Sequence, residues 1–193
     1  MKTADKSAAD KSAADKSAKV APEDVTLRPW TRGDAVALVR LGDDRDIWLN
    51  LRERFPRPFT QASADLWLAE HAAENASQKS FAVLFRGQLA GGIHLRRRED
   101  INHICADLTF WVGKPYSGRG IARAAVEAAT AHAFDALGLE RVQAFVFDWN
   151  PASARVLEKV GYKLEGRLRH YVLKDGRYGD ALLYAKLRNE DVD

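Results

Sequence analysis

One segment in the middle of the chain constrains the fold more than any other. It predicts an apolar strand at residues 104–112, a glycine-bearing turn at 113–120, an alanine-rich helix at 121–137 that ends before Gly138, and a second strand at 141–147. A helix that connects two neighbouring strands returns the chain to the starting end of the sheet, so those strands run parallel. The chain is therefore expected to contain a sheet with a helical crossover packed on its face.

Hairpins and further helices surround this crossover. Further strands are predicted at residues 25–28, 80–85, 89–95, 162–173 and 178–187, and further helices at 35–41, 64–75 and 151–160. Two of the strand pairs are joined across Arg86-Gly87-Gln88 and Lys174-Asp175-Gly176, which are typical of hairpin turns. The order β-α-α-β-β-β-α-β-α-β-β predicts a mixed α/β fold: a mostly antiparallel sheet with one parallel pair and helices on both faces.

The region before residue 80 has weaker patterns. The helix at 64–75 is expected to turn Leu66, Trp67 and Ala73 towards a core. Residues 43–58 show no regular period, and their apolar side chains are expected to be buried among the charged ones.

Length and low complexity divide the chain into two parts. Its 193 residues correspond to one ordinary domain. Residues 4–18 are three copies of Ala-Asp-Lys-Ser-Ala, which contain no large apolar side chain to offset the entropy of ordering. We therefore predict a flexible low-complexity tail at residues 1–22 and one domain at 23–193.

Composition excludes several classes of protein. With 46% hydrophobic and 30% charged residues, the chain resembles soluble globular proteins, and no apolar run reaches the roughly 18 residues of a membrane helix. A lone cysteine, Cys105, cannot form an internal disulfide, which favours a reducing, cytoplasmic location; we expect it to be a buried, unreactive side chain. The net charge of +3 is too small to indicate nucleic acid. The histidines lack metal-ligand spacing, so we expect no metal. From the lengths of the apolar runs and the small net charge, we expect no membrane and no nucleic-acid partner.

The glycine turn is the first candidate binding site. Gly118 and Gly120 let the backbone approach a ligand, and the helix that follows offers unpaired N–H groups and a positive dipole end, which suit a phosphate. No Gly-Lys-Ser/Thr follows, as in a P-loop, and Arg123 stands where a dinucleotide fingerprint needs its third glycine. A tight turn with an ordinary helix start explains these residues equally well.

A second polar cluster, Asn150-Pro151-Ala152-Ser153, follows the strand at 141–147. The carboxyl ends of parallel strands form a crevice in which ligands bind, so this cluster is expected beside the glycine turn. Its alternative role is local, with Asn150 as the cap of the next helix.

These motifs together resemble a known family. Ser117-Gly118-Arg119-Gly120-Ile121-Ala122 is similar to the acyl-coenzyme A pyrophosphate loop, Gln/Arg-x-x-Gly-x-Gly/Ala, of the GNAT N-acetyltransferases. Residues 107–112, 150–153 with 156–162, and 165–169 with Asp175-Gly176 and Asp180 resemble the RimJ/RimL branch, which acetylates the N-termini of ribosomal proteins. The resemblance extends over roughly residues 25–187 and implies the GNAT fold, in which the two parallel strands splay apart.

The resemblance implies acetyl-CoA as cosubstrate and a primary amine as acceptor. The pyrophosphate would lie on the loop residues Ser117, Gly118, Arg119, Gly120, Ile121 and Ala122. The pantetheine arm would pair with the backbone at Trp111 and Val112, one of which would also stabilise the thioester oxygen, and Asn150 would hold the arm from the other side. Ser117 departs from the usual Gln or Arg, but backbone N–H groups do not depend on that side chain.

Acetyl transfer to an amine also needs a base and an acid. An ammonium has no lone pair, and amines with pKa values of about 8 to 10.4 must lose a proton before attack. Asp107, which matches a glutamate common in this branch, is the expected base, the alternative being a hydrogen-bonded carboxylate on a strand surface. Leu157 stands where many GNAT enzymes have a tyrosine, so Ser153 is the expected proton donor to the thiolate, followed by Tyr162 and Tyr171.

The sequence therefore predicts direct acetyl transfer to an amine, most naturally a protein or peptide N-terminus. Two alternatives stay open: a small amine such as a polyamine, amino acid or aminoglycoside, and a non-catalytic acyl-CoA-binding module. Arg96-Arg97-Arg98 would be either a solvated hairpin end or a contact for an adenosine phosphate or acidic substrate. A homodimer is one assembly that the sequence leaves open.

Overall fold

The computed structural model describes residues 20–72 and 77–190. The strands are β1 Val25–Pro29, β2 Gln78–Phe85, β3 Gln88–Arg97, β4 Cys105–Val112, β5 Arg141–Phe147, β6 Lys163–Lys174 and β7 Arg177–Leu187. The helices are α1 Ala35–Gly42, α2 Arg45–Leu49, α3 Gln61–Ala72, α4 Ile121–Asp135 and α5 Pro151–Lys159. Within these described ranges, no helix is long and apolar enough to cross a bilayer.

All seven strands form one sheet in the order β1-β2-β3-β4-β5-β7-β6. Every neighbouring pair is antiparallel except β4 and β5, which are parallel. Both predicted hairpins are present, and their two central residues have positive φ: 50° and 78° at Arg86 and Gly87, 51° and 72° at Asp175 and Gly176. The predicted mixed α/β sheet is thus confirmed.

The parallel pair is short. β4 and β5 are paired at only three positions, the last of which joins Asp107 to Gln143. Beyond it, β4 remains bonded to β3 as far as Val112, and β5 remains bonded to β7 as far as Phe147. The carboxyl-terminal halves of β4 and β5 therefore face each other across a gap.

Helices cover both faces of the sheet and bury two cores. On one face, α4 packs through Ala125, Val126, Ala129 and Ala133, whose small side chains let the helix lie close to the strands, and α5 adds the fully buried Leu157. On the other face, α1, α2 and α3 enclose a second core of larger side chains, among them Trp30, Leu38, Phe55, Phe59, Leu68 and Trp111.

Two details of the region before residue 80 differ from expectation. The short helix α2 was not predicted: it is capped by the Asp44 carboxylate, which accepts from the N–H groups of Asp46 and Ile47, and it is too short to show a period. The prediction that Leu66 faces a core is wrong, since the side chain is 74% exposed. α3 packs instead through Ala64 and Leu68, four residues apart on one face.

Trp67 packs half-buried against the second core, as predicted. The expectation for Ala73 and for the end of its helix lies outside the described residues, as does the predicted tail before residue 20.

Candidate active site

The glycine turn leaves open space at the start of α4. Gly118 and Gly120 have φ values of 75° and 86°, in the left-handed region that glycine adopts without strain. A Cβ on Gly118 would meet nothing within 4 Å, and one on Gly120 would meet only Val20 Cβ at 4.0 Å. A side chain there would project into this space, which suits a bulky anion.

α4 contributes only its backbone to this space. It begins at Ile121 directly after Gly120, and its first N–H groups have no acceptor within the helix. Ile121 buries its side chain in the first core, Ala122 is half-buried, and the Ser117 hydroxyl donates back to the Gly113 carbonyl at 3.5 Å. The turn and helix start therefore fit a diphosphate held by main-chain N–H groups.

Two guanidinium groups flank the turn. Those of Arg119 and Arg86 lie 4.6 and 5.0 Å from the centroid of the Phe85 ring, and Arg86 also pairs with Asp24 at 3.0 Å. Phe85, at the end of β2, thus holds Arg119 beside the turn, where its positive charge favours phosphate.

The backbone of β4 presents donors to the gap. Gly113 N–H donates to the Ala90 carbonyl on the β3 side at 2.8 Å. Because N–H groups alternate in direction along a strand, Val112 N–H points away from β3 into the gap, whereas Trp111 N–H points towards β3. Of the two predicted residues, Val112 is the one oriented for a ligand in the gap; the Trp111 indole packs in the second core, 5.6 Å from the Phe55 ring.

Asn150 and Ser153 lie at the start of α5, which follows the carboxyl end of β5. Asn150 Oδ1 accepts from Ser153 N–H at 3.2 Å, so Asn150 caps α5, as one of its two predicted roles requires. This bond orients the amide, and Asn150 Nδ2 donates to Ser153 Oγ at 3.0 Å. Since Ser153 Oγ accepts that bond, its own proton is free for another acceptor.

Asp107 lies where β4 and β5 separate. Its half-buried carboxylate accepts from Gln143 Nε2 at 2.9 Å and pairs with Arg96 at 3.2 Å and Arg98 at 3.5 Å. These three partners hold the carboxylate in one orientation. Arg96 and Arg98 are 52% and 42% exposed, so they are consistent with the solvated hairpin end that was one of the two expectations, and they also pair with Asp107.

Two cavities meet at Asp107 on the face of the sheet opposite α4. The aromatic cavity, about 160 Å³, is lined by Phe55, Trp67, His71, His94 and Trp111 among others. The hairpin cavity, about 410 Å³, is lined by residues that include Phe145, Phe147, Tyr171, Leu173 and Lys174. Both share Leu51, Arg52, Arg54, Asp107 and Thr109.

The aromatic cavity contains a pair of neutral imidazoles. His71 Nδ1 donates to the Trp67 carbonyl at 2.8 Å, and the ring stacks on the Trp67 indole at 3.8 Å. Burial lowers the pKa of His71, and burial lowers the pKa of His94 to about 4, with further contributions from the repulsion that His71 exerts when protonated and from the charges of Arg96 and Arg54. Both rings are therefore uncharged at neutral pH.

The remaining candidates divide between core and cavity. Tyr162 is buried in the first core, its hydroxyl 2.7 Å from Thr130 Oγ1, and burial raises the pKa of the phenol. Because its hydroxyl is enclosed with Thr130 inside the first core, Tyr162 is poorly placed as a proton donor. Tyr171 lines the hairpin cavity and stacks on Phe145. Cys105 is buried, as predicted.

Sequence reasoning missed most of the cavity walls. Arg52, Arg54 and His71 come from the loop after α2 and from α3, where no motif marks them. The mixture of arginines with aromatic residues before position 80 was the one available signal.

The comparison with known proteins decides the family. The acetyltransferase (GNAT) domain model matches residues 24–163 of the chain. The chain belongs to the GNAT acetyltransferase family. It is therefore an acetyl-CoA-dependent N-acetyltransferase, as the resemblance implied. Within the described part of the chain, no group of side chains is arranged to hold a metal ion.

Individual relatives differ in what their names say they acetylate. Putative ribosomal N-acetyltransferase YdaF of Bacillus subtilis (strain 168) is 30% identical over 124 residues, 64% of this chain and 66% of that protein. Spermidine N(1)-acetyltransferase of Escherichia coli (strain K12) is 27% identical over 161 residues, 82% and 83% of the two chains. The structure of Mycobacterium smegmatis RimJ in complex with CoA-disulfide superimposes with a TM-score of 0.77 at 27% identity, covering 86% and 83%.

Proposed function

We propose that this GNAT enzyme transfers the acetyl group directly to the N-terminal amine of a protein or peptide, with Asp107 as base and Ser153 as acid. The observation that carries the proposal is the position of β4. Its Val112 N–H faces the gap that opens beyond the last β4–β5 pair, and its Asp107 lines both cavities on the acceptor side. One strand therefore presents groups to both reactants.

The residues around the gap would hold acetyl-CoA through main-chain contacts. The diphosphate would lie on the N–H groups from Gly118 to Ala122, with Arg119 beside it, and Asn150 would contact the pantetheine arm. When bound, acetyl-CoA supplies a thioester that an amine can attack. Val112 N–H is oriented to donate to the oxygen that gains charge during that attack.

Asp107 would remove the proton from the incoming ammonium. Gln143, Arg96 and Arg98 keep its carboxylate in one orientation, which favours proton transfer at a defined position. On the other side of the gap, Ser153 Oγ would give its proton to the departing thiolate and would regain one from the attacking nitrogen, which must lose a second proton as the amide forms. Each step uses a group that already has the required lone pair or proton.

Two relatives support an N-terminal acceptor: the ribosomal name of YdaF and the structural likeness to RimJ. A small amine is the second candidate, favoured by the likeness to spermidine N(1)-acetyltransferase over most of the chain. The two candidates share the coenzyme and the chemistry, and they differ in what surrounds the reacting nitrogen.

A product-mass screen tests the proposal. The enzyme would be incubated with acetyl-CoA and a panel of N-terminal peptides and small amines, and the acetylated products identified by mass spectrometry. We expect acetylation at the α-amine of peptides, lost in Asp107→Asn. Coenzyme binding without turnover of any amine would instead favour the acyl-CoA-binding module.

A further inference from the structure

The charged residues that line the two cavities are not evenly balanced. Three acids and four cations line them: Glu53, Glu70 and Asp107 against Arg52, Arg54, Arg96 and Lys174. Each acid pairs with one of these four cations, Glu53 with Lys174, Glu70 with Arg54, and Asp107 with Arg96; Asp107 pairs in addition with Arg98, which lines neither cavity. Among the residues that the structure describes, Arg52 is the cavity cation left without an ion pair.

Lys174 is the most deeply buried of these charges. Its side chain is 3% exposed, and its ammonium lies 4.0 Å from the centroid of the Trp48 ring. Glu53 Oε1, on a side chain that is 69% exposed, lies 2.9 Å from Lys174 Nζ and is its ion-pair partner. An ammonium has three N–H donors, and beyond this ion pair no described residue accepts a hydrogen bond from Lys174, so donors remain for a second anionic oxygen.

Arg52 and Lys174 both line the hairpin cavity, which Asp107 lines as well. An amine at Asp107 and an anion at the two cations can therefore belong to one small molecule or one peptide end. The cavity, about 410 Å³, is within the range of ordinary ligand sites.

We propose that Arg52 and Lys174 form an anion subsite that binds a carboxylate carried by the acceptor a few bonds from its reacting amine. The proposal rests on the acetyltransferase function proposed above and specifies its substrate. The carboxylate comes from the acidic side chain of an N-terminal residue or from the α-carboxyl of a free amino acid. A polyamine is disfavoured, because its further ammonium groups would face Arg52 and Lys174.

The test compares acceptors that differ only in charge. Steady-state kinetics would be measured with C-terminally amidated peptides that begin with Glu, Gln or Lys, with free glutamate and its neutral diamide, and with spermidine. We expect kcat/KM for the Glu peptide to exceed that for the Gln peptide by at least tenfold, through KM, and spermidine to be the poorest acceptor. If free glutamate is turned over, the carboxylate can be the α-carboxyl of a free amino acid. If only the Glu peptide is turned over, the carboxylate is the acidic side chain of an N-terminal residue.

Variants connect the preference to the subsite. Arg52→Gln, at an exposed position, and Lys174→Gln are each expected to reduce the preference for Glu over Gln about tenfold. The exposed Arg40→Gln on α1, outside both cavities, should leave it unchanged. Should Lys174→Gln fail to fold, Arg52→Gln alone decides the outcome.

Three kinetic results would each overturn the subsite. The Glu and Gln peptides could be turned over equally well, or spermidine could be turned over better than the Glu peptide. The third result is a preference for Glu over Gln that survives in Arg52→Gln. Calorimetric binding of the acetylated Glu and Gln peptides to the CoA-loaded enzyme gives a readout without turnover. If no amine is turned over but the Glu product binds more tightly, the proposed function fails and the subsite stands; equal binding removes the subsite.

Discussion

The two sides of β4 are built from different materials. The proposed coenzyme side consists of the turn at Gly118 and Gly120, the start of α4 and the gap beyond Asp107, and it offers mostly backbone groups and small side chains. The acceptor side consists of the two cavities, whose walls are aromatic rings and ion pairs. Main-chain groups suit a ligand that stays the same, whereas side chains set which acceptor is used.

This difference has an energetic consequence. On the coenzyme side, a substitution in the glycine turn would alter the backbone conformation and fill the space that the diphosphate needs. One added side chain is therefore expected to weaken all the contacts to the diphosphate together. On the acceptor side, each side chain contributes its own charge or hydrogen bond, and changes are expected to be graded. The following predictions examine that contrast.

The largest effect is expected at Asp107, where the two sides meet. Asp107→Asn keeps the shape and can still accept from Gln143, but it removes the base, so kcat should fall about 10³-fold, within the usual range for a lost general base. Stopped-flow acetyl-CoA binding should change by less than about twofold, since the carboxylate is on the acceptor side. A kcat within about threefold of wild type would remove Asp107 from this role.

The next effect concerns the acceptor side alone and appears in stability. The folded-state pKa of His94 is about 4, against 6.5 for the free side chain, so between these values the unfolded chain binds more protons than the folded chain. The free energy of unfolding should therefore fall as the pH drops from 6.5 towards 4, by up to about 3 kcal/mol from His94, with His71 adding in the same direction.

Urea titrations across this pH range measure the slope. His94→Gln should flatten it, leaving the part due to His71, while the exposed His103→Gln serves as control. The groups that act on His94 are His71, Arg96, Arg54 and Glu70. An unchanged slope in His94→Gln would contradict the burial of a neutral imidazole here.

On the coenzyme side, Gly120→Val should weaken acetyl-CoA binding about 100-fold, measured by calorimetry. The substitution forces a β-branched residue to a φ of 86° and fills the space above the turn. Gly176→Val is the matched control, because Gly176 also has a positive φ, 72°, and open space around it, but lies in the β6–β7 hairpin. Equal losses of acetyl-CoA affinity in the two variants would show that backbone strain, and not the filled space above the turn, weakens binding.

Ser153→Ala tests the wall of the gap with a smaller effect. The backbone N–H that donates to Asn150 remains, so α5 keeps its cap and the melting temperature should stay within about 2 °C. Loss of the hydroxyl proton should lower kcat about tenfold at saturating acceptor. If kcat is unaltered, the thiolate takes its proton from another donor, of which Tyr171 in the wall of the hairpin cavity is the remaining candidate.

The smallest effect is expected at Arg119. Arg119→Ala removes one half-buried cation beside the turn but leaves every main-chain donor, so acetyl-CoA affinity should fall about threefold, and the difference from wild type should shrink at high salt. Arg119→Lys should retain most of the affinity. A loss as large as that of Gly120→Val would mean that a side chain, not the backbone, dominates diphosphate binding.

The coenzyme side was largely predictable because its signals are local. Gly118 and Gly120 are needed for positive φ, and the helix after them follows from the alanine-rich pattern. The cap that Asn150 forms at the start of α5 was predictable as one of its two roles, because a helix cap is encoded within four residues. The acceptor side was not predictable in the same way: Leu66 and Trp67 are neighbours in sequence, yet only Trp67 reaches a cavity.

By itself, the sequence determined the order of the strands and of the helices other than α2, the glycine turn and the family. Each depends on neighbours a few residues apart, through periodicity, turn conformation and helix capping. Only the tertiary structure decided that β4 and β5 part after Asp107 and that Arg52, Lys174 and Asp107 line one cavity. Those residues are far apart along the chain, and their proximity arises from the packing of separate elements, which no local pattern records.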